Sequence, residues 1–317
     1  MAGVLSEILG HMAVLSSIVK RSRQNPIATG GWCWLVLWVV LGAATAGADV
    51  PGTAVSPVTY RHMVRRSPNF SIHVVTIDLA DRRVTVRVAP GGPATTNGPD
   101  WVTTLLPPSE IAAREHFDVA INGDFFSAIA TKDIEGRKTG YVRGKAAFPI
   151  GPAMTDGRLW HKADLARPYL EITADHEAKI LAGRPGSELD PAAREVVGGG
   201  QIIVSDGKAV AFTGTFATAR HPRTVVGVDR TGRWLTLFVV DGRQPELSIG
   251  MTLGELSQEM LALGCDRALN LDGGGSTVLV FRQPDTHQLQ VLNSPSDAKE
   301  RSVADVLGVA FETAVVK

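Results

Sequence analysis

Cysteine is nearly absent from this chain of 317 residues: Cys33 lies in an apolar run near the N-terminus, and Cys265 stands alone in everything that follows. A single thiol beyond that run excludes an intramolecular disulfide there. There is no C-x-x-C pair, and the eight His residues show no metal-ligand spacing, so no zinc site is expected. Charge of one sign is missing too. The formal net charge is zero, with 20% charged and 44% hydrophobic residues, which argues against a nucleic-acid footprint and against disorder. No Pro/Ser-rich linker, charge run or internal repeat divides the sequence, so one domain is expected rather than an array.

What is present begins with the N-terminus. Trp32 to Ala44 is uninterrupted and apolar, preceded by Lys20, Arg21 and Arg23 and followed by Ala46-Gly47-Ala48, an A-x-A cleavage pattern. We expect residues 1–48 to be a signal peptide or an N-terminal anchor, residues 49–70 to lead into the domain, and residues 71–317 to form it. The protein is then exported, to a periplasmic, secreted or envelope location. The alternative is that residues 32–48 stay behind as a membrane anchor, although the run is shorter than the ~20 residues that span a bilayer comfortably.

Patterning beyond residue 70 predicts an α+β fold, a mixed, largely antiparallel sheet core with a few packed helices and its site on strand-end loops. Ile72 to Leu79 and Val84 to Ala89 alternate as if paired in a hairpin around Asp81, and Gly227 to Val240 reads as a second hairpin through Asp229-Arg230-Thr231-Gly232. Helices are predicted over Ser109 to His116 and Leu253 to Leu263. The second opens on a capping box, Thr252 with Glu255, stops at Gly264, and carries Leu253, Leu256, Met260 and Leu263 on one face. Cys265 follows it as a small buried hydrophobe. The strand-helix-strand stretch from Leu235 to Leu271 can set its two strands parallel, which would bring Asp241 and Asp272 to one sheet edge.

Polar residues cluster where apolar runs end. Asn270-Leu271-Asp272-Gly273-Gly274-Gly275-Ser276-Thr277 puts a carboxylate and three glycines between two strands. Successive N–H groups there could form a nest for an anion, or the glycines could serve a tight hairpin; the Lys of a nucleotide-binding P-loop is missing. Asn122-Gly123-Asp124-Phe125-Phe126 repeats the design after Phe117 to Ile121. Pro222-Arg223-Thr224 opens a strand, Asp241-Gly242-Arg243 closes one, and Asn293-Ser294-Pro295-Ser296-Asp297 precedes Glu300-Arg301 and a last strand, Val306 to Phe311.

In order and wording these loops resemble the phosphodiester glycosidase family, whose pattern runs N-G-x-F-F, P-R-T, D-G-R, a helix opened by T-x-x-E, N-L-D-G-G-G-S and N-x-P-S-D with a later E-R. The resemblance spans roughly residues 71–317 and is most specific from Val197 onward. It implies a hydrolase acting on sugar-1-phosphodiesters. Such a substrate carries a charged phosphate and an acetal, so its cleavage wants cationic clamps and carboxylates. Arg223 and Arg243 are therefore assigned to phosphate, with a surface ion pair to Asp229 or Glu246 as the plain alternative. Asp272, Asp124 and Asp241 are the catalytic candidates. Asn122, Thr224, Gly273, Gly274, Gly275, Ser276, Asn293, Ser296, Asp297 and Arg301 are the substrate-binding ones, several of which could equally serve loop backbone. His221 is a weaker general-acid candidate.

No cofactor is required on this reading and no metal is assigned. Ca²⁺ or Mg²⁺ held by Asp124, Asp241 and Asp272 is the alternative, giving a metal-dependent phosphodiesterase. A non-catalytic envelope polysaccharide-binding protein is the other. The expected partner is a phosphorylated glycan or polysaccharide, with no nucleic acid and with membrane contact only through the N-terminal segment.

Overall fold

The computed structural model describes residues 56–94, 102–129, 131–132, 138–139, 141–162, 167–186 and 188–311, all within the unit Thr53–Lys317. The basic, apolar and A-x-A succession read as a leader lies outside the described residues. Among them, no helix is long and apolar enough to cross a membrane.

The strands that position the site are, in chain order, β1 (Val58–Arg65), β2 (Phe70–Asp78), β3 (Val84–Pro90), β4 (Val119–Asn122), β5 (Gln201–Ser205), β6 (Lys208–Ala209), β7 (Arg223–Val228), β8 (Trp234–Val240), β9 (Arg267–Asn270), β10 (Leu279–Arg282), β11 (Leu289–Val291) and β12 (Asp305–Phe311). The helices are α1 (Pro108–Arg114), α2 (Thr215–Thr218) and α3 (Leu253–Ala262). A seven-stranded sheet runs β1-β2-β8-β7-β9-β5-β6, and a five-stranded sheet runs β11-β10-β4-β12-β3. A second five-stranded sheet is formed from segments between Ala153 and Gly198. These pairings are antiparallel, so the fold is β-rich α+β, with three short α-helices among the described residues.

Alternating side chains explain the layering. Val226, Val228, Leu235, Leu237 and Val239 point to one face of the large sheet and share a buried cluster with Val84, Val86, Val119, Ile121 and Leu307 of the five-stranded sheet. On the opposite face, Val225, Phe238 and Val240 are covered by Leu253, Leu256 and Met260 of α3. Helix α1 covers the outer face of the five-stranded sheet through Ile111 and Ala112, against Ala120, Val280 and Val306. Central strands with both faces buried read as continuous apolar runs, which is why β7 and β8 stood out in the sequence.

The capping box at α3 is present: Thr252 Oγ1 accepts from Glu255 N at 3.1 Å, and Thr252 N donates to Glu255 Oε2 at 2.9 Å. The β7–β8 hairpin is present as well. Cys265 is buried, and burial pushes its thiol up to about 11, so it is an inert part of the core.

Two expectations fail. The segments around Asp81 are not a hairpin: β2 pairs with β1 and β8 in the large sheet, while β3 pairs with β12 in the other. An alternating pattern says that a strand is half-buried or buried, not which strand it joins. Likewise Gly273–Gly275 does not close a hairpin, because β9 and β10 belong to different sheets. In addition, β1 lies inside the stretch read as leading into the domain and forms the edge of the large sheet, so the folded unit starts before residue 71.

Packing in the five-stranded sheet is tight enough to test. A Cβ on Gly308, in β12, would overlap the ring of Phe117. Gly308→Ala is expected to lower stability by about 1–3 kcal/mol, read as a lower urea midpoint at unchanged slope.

Candidate active site

The strands converge at one edge. Strand β7 is antiparallel to both β8 and β9, so its first residue, Arg223, pairs with Val240 at the end of β8, and Val225 pairs with Asn270 at the end of β9. Strands β8 and β9 therefore run in the same direction, and the residues that follow them, Asp241 and Asp272, emerge at the same sheet edge beside Arg223. The other sheet is stitched to this edge through the end of β4. Asn122 Nδ2 donates to Asp272 O at 2.8 Å, its Oδ1 accepts from Thr224 Oγ1 at 2.7 Å and Val278 N at 3.2 Å, and Asp272 N donates to Gly123 O at 3.1 Å. Asn122 and Thr224 are thus the rivets of the site, bonded to protein rather than directed at a ligand.

The glycine loop folds as one 3₁₀ turn, Gly274–Ser276. Gly273 N donates to Asp272 Oδ1, Gly274 N to Pro222 O, Ser276 N to Gly273 O and Thr277 N to Gly274 O. The row of free donors expected of an anion nest is therefore largely consumed by the turn itself. What the glycines provide is access. Gly274 has φ +62, and a Cβ on it would stand 2.9 Å from Arg243 Nη2.

Positive charge here comes from side chains. Arg223 is fully buried, with Nε directed at Met251 O at 3.3 Å, Nη2 at Phe216 O (2.8 Å) and Ala219 O (3.1 Å), and Cζ 4.6 Å above the Phe216 ring. Burial, and then the neighbouring Arg243, bring its pKa down to about 10. Arg243 is exposed, adopts a left-handed backbone at φ +60, and places Nη2 3.5 Å from His221 Nδ1. Burial together with both arginines pushes His221 down. Among the described residues neither arginine has a carboxylate partner: Asp229 instead accepts from Thr231 and Trp234 in its own turn. Two guanidinium groups and a histidine crowded together without a counter-charge form an arrangement that an anionic ligand would relieve.

Three acids lie within electrostatic reach of one another. Asp272 is raised to about 6 by burial, against the pull of the Ser276 hydroxyl, the Gly273 N–H and the Arg301 charge. Asp124 is buried and raised to about 7; burial outweighs the Gly151 and Phe125 N–H groups and Arg167, and Asp272 adds to the rise. A Cβ at Gly151 or Gly198 would fall 2.9 or 2.6 Å from Asp124 Oδ2, so two glycines make room for this carboxylate. The third, Asp305, is fully buried at the start of β12. Its Oδ1 accepts from Asp124 N at 3.0 Å, its Oδ2 has no hydrogen-bond partner among the described residues, and burial with the charges of Asp124 and Asp272 raises it well above the usual carboxylate range. Carboxylates held near neutral pH can be a base in one ionisation state and an acid in the other.

Asp241 does not join them. Its Oδ1 accepts from Asn293 Nδ2 at 3.1 Å and Ser294 N at 2.8 Å, and its Oδ2 lies 3.5 Å from His73 Nε2, with both side chains buried. Asn293 also holds Leu279 N and Thr277 O. Both residues tie the late loop to the sheet edge, so the carboxylate of Asp241, named as a catalytic candidate, is engaged with Asn293, Ser294 and His73. Among the described residues no three His, Cys, Asp or Glu side chains are placed to hold a metal ion. Asp297 pairs with Arg301 at 2.7 Å, and Arg301 Nη1 is directed at Ser276 Oγ, 3.5 Å away. Ser296 Oγ is buried without a hydrogen-bond partner among the described residues.

Sequence reasoning missed Asp305, Arg167 and Tyr141. For Asp305 a signal existed: it is a lone charge inside the buried run Val303 to Val309. Arg167 and Tyr141 sit in stretches without periodicity, and only the tertiary structure brings them near Asp124 and Arg301.

The family model described as phosphodiester glycosidase matches residues 115–310. An uncharacterised SPbeta prophage-derived protein of Bacillus subtilis (strain 168), YomE, is 31% identical over 126 residues, 39% of this chain and only 18% of that relative's length. Among solved structures, the zebrafish N-acetylglucosamine-1-phosphodiester alpha-N-acetylglucosaminidase catalytic domain, auto-inhibited by its pro-peptide, gives a TM-score of 0.56 at 21% identity over 84% of this chain and 86% of its own. The Synechocystis protein, described only as hypothetical, gives 0.54 at 16% identity over 81% of this chain and 62% of its own. At these identities the two structures show a shared fold.

Proposed function

Because the chain belongs to the phosphodiester glycosidase family, a family of hydrolases, we propose that it hydrolyses sugar-1-phosphodiesters at the edge where Arg223, Arg243 and Asp272 meet. The observation that carries this reading is a pair of guanidinium groups that have no carboxylate partner among the described residues, packed against the glycine turn that follows an aspartate raised by burial to about 6. In the proposed reaction the bond between the anomeric carbon and the phosphate oxygen breaks, and its electron pair leaves with the phosphate. Water adds its hydroxyl to the anomeric carbon and gives up its other proton to a carboxylate. Arg243 and Arg223 stabilise the charge gathering on the leaving phosphomonoester, which needs little general acid. Asp272 supplies negative charge beside the oxocarbenium-like centre and takes the proton, while Asp124, with Asp305 behind it, holds a proton within the site.

The N-terminal succession of Lys20, Arg21 and Arg23, an apolar run and Ala46-Gly47-Ala48 supports export with cleavage after Ala48. An exported hydrolase of this kind would meet phosphodiester-linked polysaccharides or teichoic-acid-like polymers of a cell envelope. The test is turnover of a panel of sugar-1-phosphodiesters, N-acetylglucosamine first, in ¹⁸O-labelled water. Label is expected in the anomeric hydroxyl of the released sugar. Label in the phosphate would overturn attack at carbon, and binding of the whole panel without turnover would leave a polysaccharide-binding protein instead.

A further inference from the structure

The glycine turn has two unlike sides. Gly274 faces Arg243, and the next residue, Gly275, faces the Arg301–Asp297 pair, against which a Cβ there would collide. On the Gly274 side three basic groups come together, His221, Arg223 and Arg243. On the Gly275 side a cleft of about 690 Å³ opens, lined among others by Tyr141, Val142, Arg143, Asp297, Lys299 and Arg301. That volume lies in the range of small-ligand sites, roughly 300–1,000 Å³.

The lining has the chemistry of a carbohydrate site. Tyr141 and Val142 are adjacent, apolar and unusually open, 47% and 42% exposed. The tyrosine ring is nevertheless fixed: Phe126 meets it edge-on at 5.2 Å and 71°, and Arg301 Cζ lies 4.3 Å over it. Asp297 pins that guanidinium at 2.7 Å, and Arg301 Nη1 reaches toward Ser276 Oγ, so the aromatic platform is continuous with the turn that carries Asp272. A sugar ring presents apolar C–H faces and a rim of hydroxyls. The negative face of an aromatic ring suits the first, and an acid beside a base suits the second, since hydroxyls both donate and accept. A second phosphate would gain less here, because Asp297 offsets the charge of Arg301.

We propose that the cleft beside Tyr141 is the subsite for the sugar ring, with the phosphate on the opposite side of the glycine turn at Arg243 and Arg223. The assignment rests on the function proposed above and gives it a direction, since the scissile bond then crosses the turn at Asp272. Tyr141 is the stacking platform, and Asp297 with Arg301 contacts the hydroxyls.

Two fragments separate the subsites: free N-acetylglucosamine for the sugar and methyl phosphate for the anion, each titrated by NMR into wild type, Tyr141→Ala, Tyr141→Phe and Arg243→Ala. Tyr141→Ala is expected to weaken N-acetylglucosamine about tenfold and leave methyl phosphate unchanged, with Tyr141→Phe close to wild type. Arg243→Ala is expected to do the reverse. Tyr141 is exposed, so these variants should fold, which circular dichroism checks. Failure of wild type to bind the sugar, unchanged sugar binding by Tyr141→Ala, or equal loss of both fragments would overturn the subsite. If both fragments bound in the expected pattern while no sugar-1-phosphodiester was turned over, the subsite would stand and the hydrolase reading would fall.

Discussion

Asp272→Asn is expected to lower kcat/KM on a sugar-1-phosphodiester by on the order of 10³-fold, with the fold intact. The amide can keep the local geometry, because its oxygen still accepts from Gly273 N, which lies 2.8 Å from Oδ1 in the wild type. What it loses is the negative charge and the capacity to take a proton. In the wild type Asp272 must be ionised to act, so activity should fall as pH drops through about 6. The variant should lack that acid limb. Stability moves the other way. A carboxyl whose pKa is raised in the folded state binds its proton more tightly there than in the unfolded chain, so it favours folding at low pH and that advantage is lost as pH rises from about 4 through 6. Asp272→Asn removes this loss and should be at least as stable as wild type at pH 8. A variant of near wild-type activity, or one that kept the limb near pH 6, would remove Asp272 from the reaction.

Arg243→Ala is expected to cost on the order of 10²-fold in kcat/KM, and Arg243→Lys to recover only part, because an ammonium lacks the two-pronged match to phosphate oxygens. This arginine is the clean probe of the clamp. It is exposed, has no carboxylate partner among the described residues, and lies against Gly274 with His221 Nδ1 3.5 Å away, so its removal leaves nothing buried unpaired. Arg223 is different: its guanidinium satisfies carbonyls of Met251, Phe216 and Ala219 inside the protein. Arg223→Ala should therefore also destabilise the fold, by roughly 3 kcal/mol or more, and its kinetics cannot be read without a stability measurement beside them. Should Arg243→Ala retain wild-type kcat/KM toward every phosphodiester tested, the phosphate assignment would be abandoned.

Much of the site was legible because its residues are tied to local rules. A capping box requires only Thr252 and Glu255 three positions apart, and a strand buried on both faces announces itself as an apolar run, as at β7 and β8. From these runs followed the shared edge of Asp241 and Asp272, since a strand, a crossing helix and another strand return the chain in the same direction. Arg223, Arg243, Asp124 and Asp272 stood out as polar residues at the ends of such runs.

Which of those residues act on a ligand and which merely hold the loops was beyond the sequence, because every candidate has the same chemistry until its partners are known. Asp241 and Asp272 both follow apolar strands, yet the first is consumed by Asn293, Ser294 and His73, and the second keeps a pKa that burial raises to about 6. The partners come from distant parts of the chain: Asp305 meets Asp124 across 181 positions, and Asn122 meets Asp272 across 150. The chain alone therefore determined the class of fold, several of its strands, two of its helices and the polar loops at strand ends. The tertiary structure decided strand partners, the loss of the expected hairpin at Asp81, the loss of the free anion nest, and the placement of Arg243 against one side of the turn and of the Arg301–Asp297 pair against the other. Sheet pairing, burial and charge coupling act between residues far apart in sequence, and local pattern does not encode them.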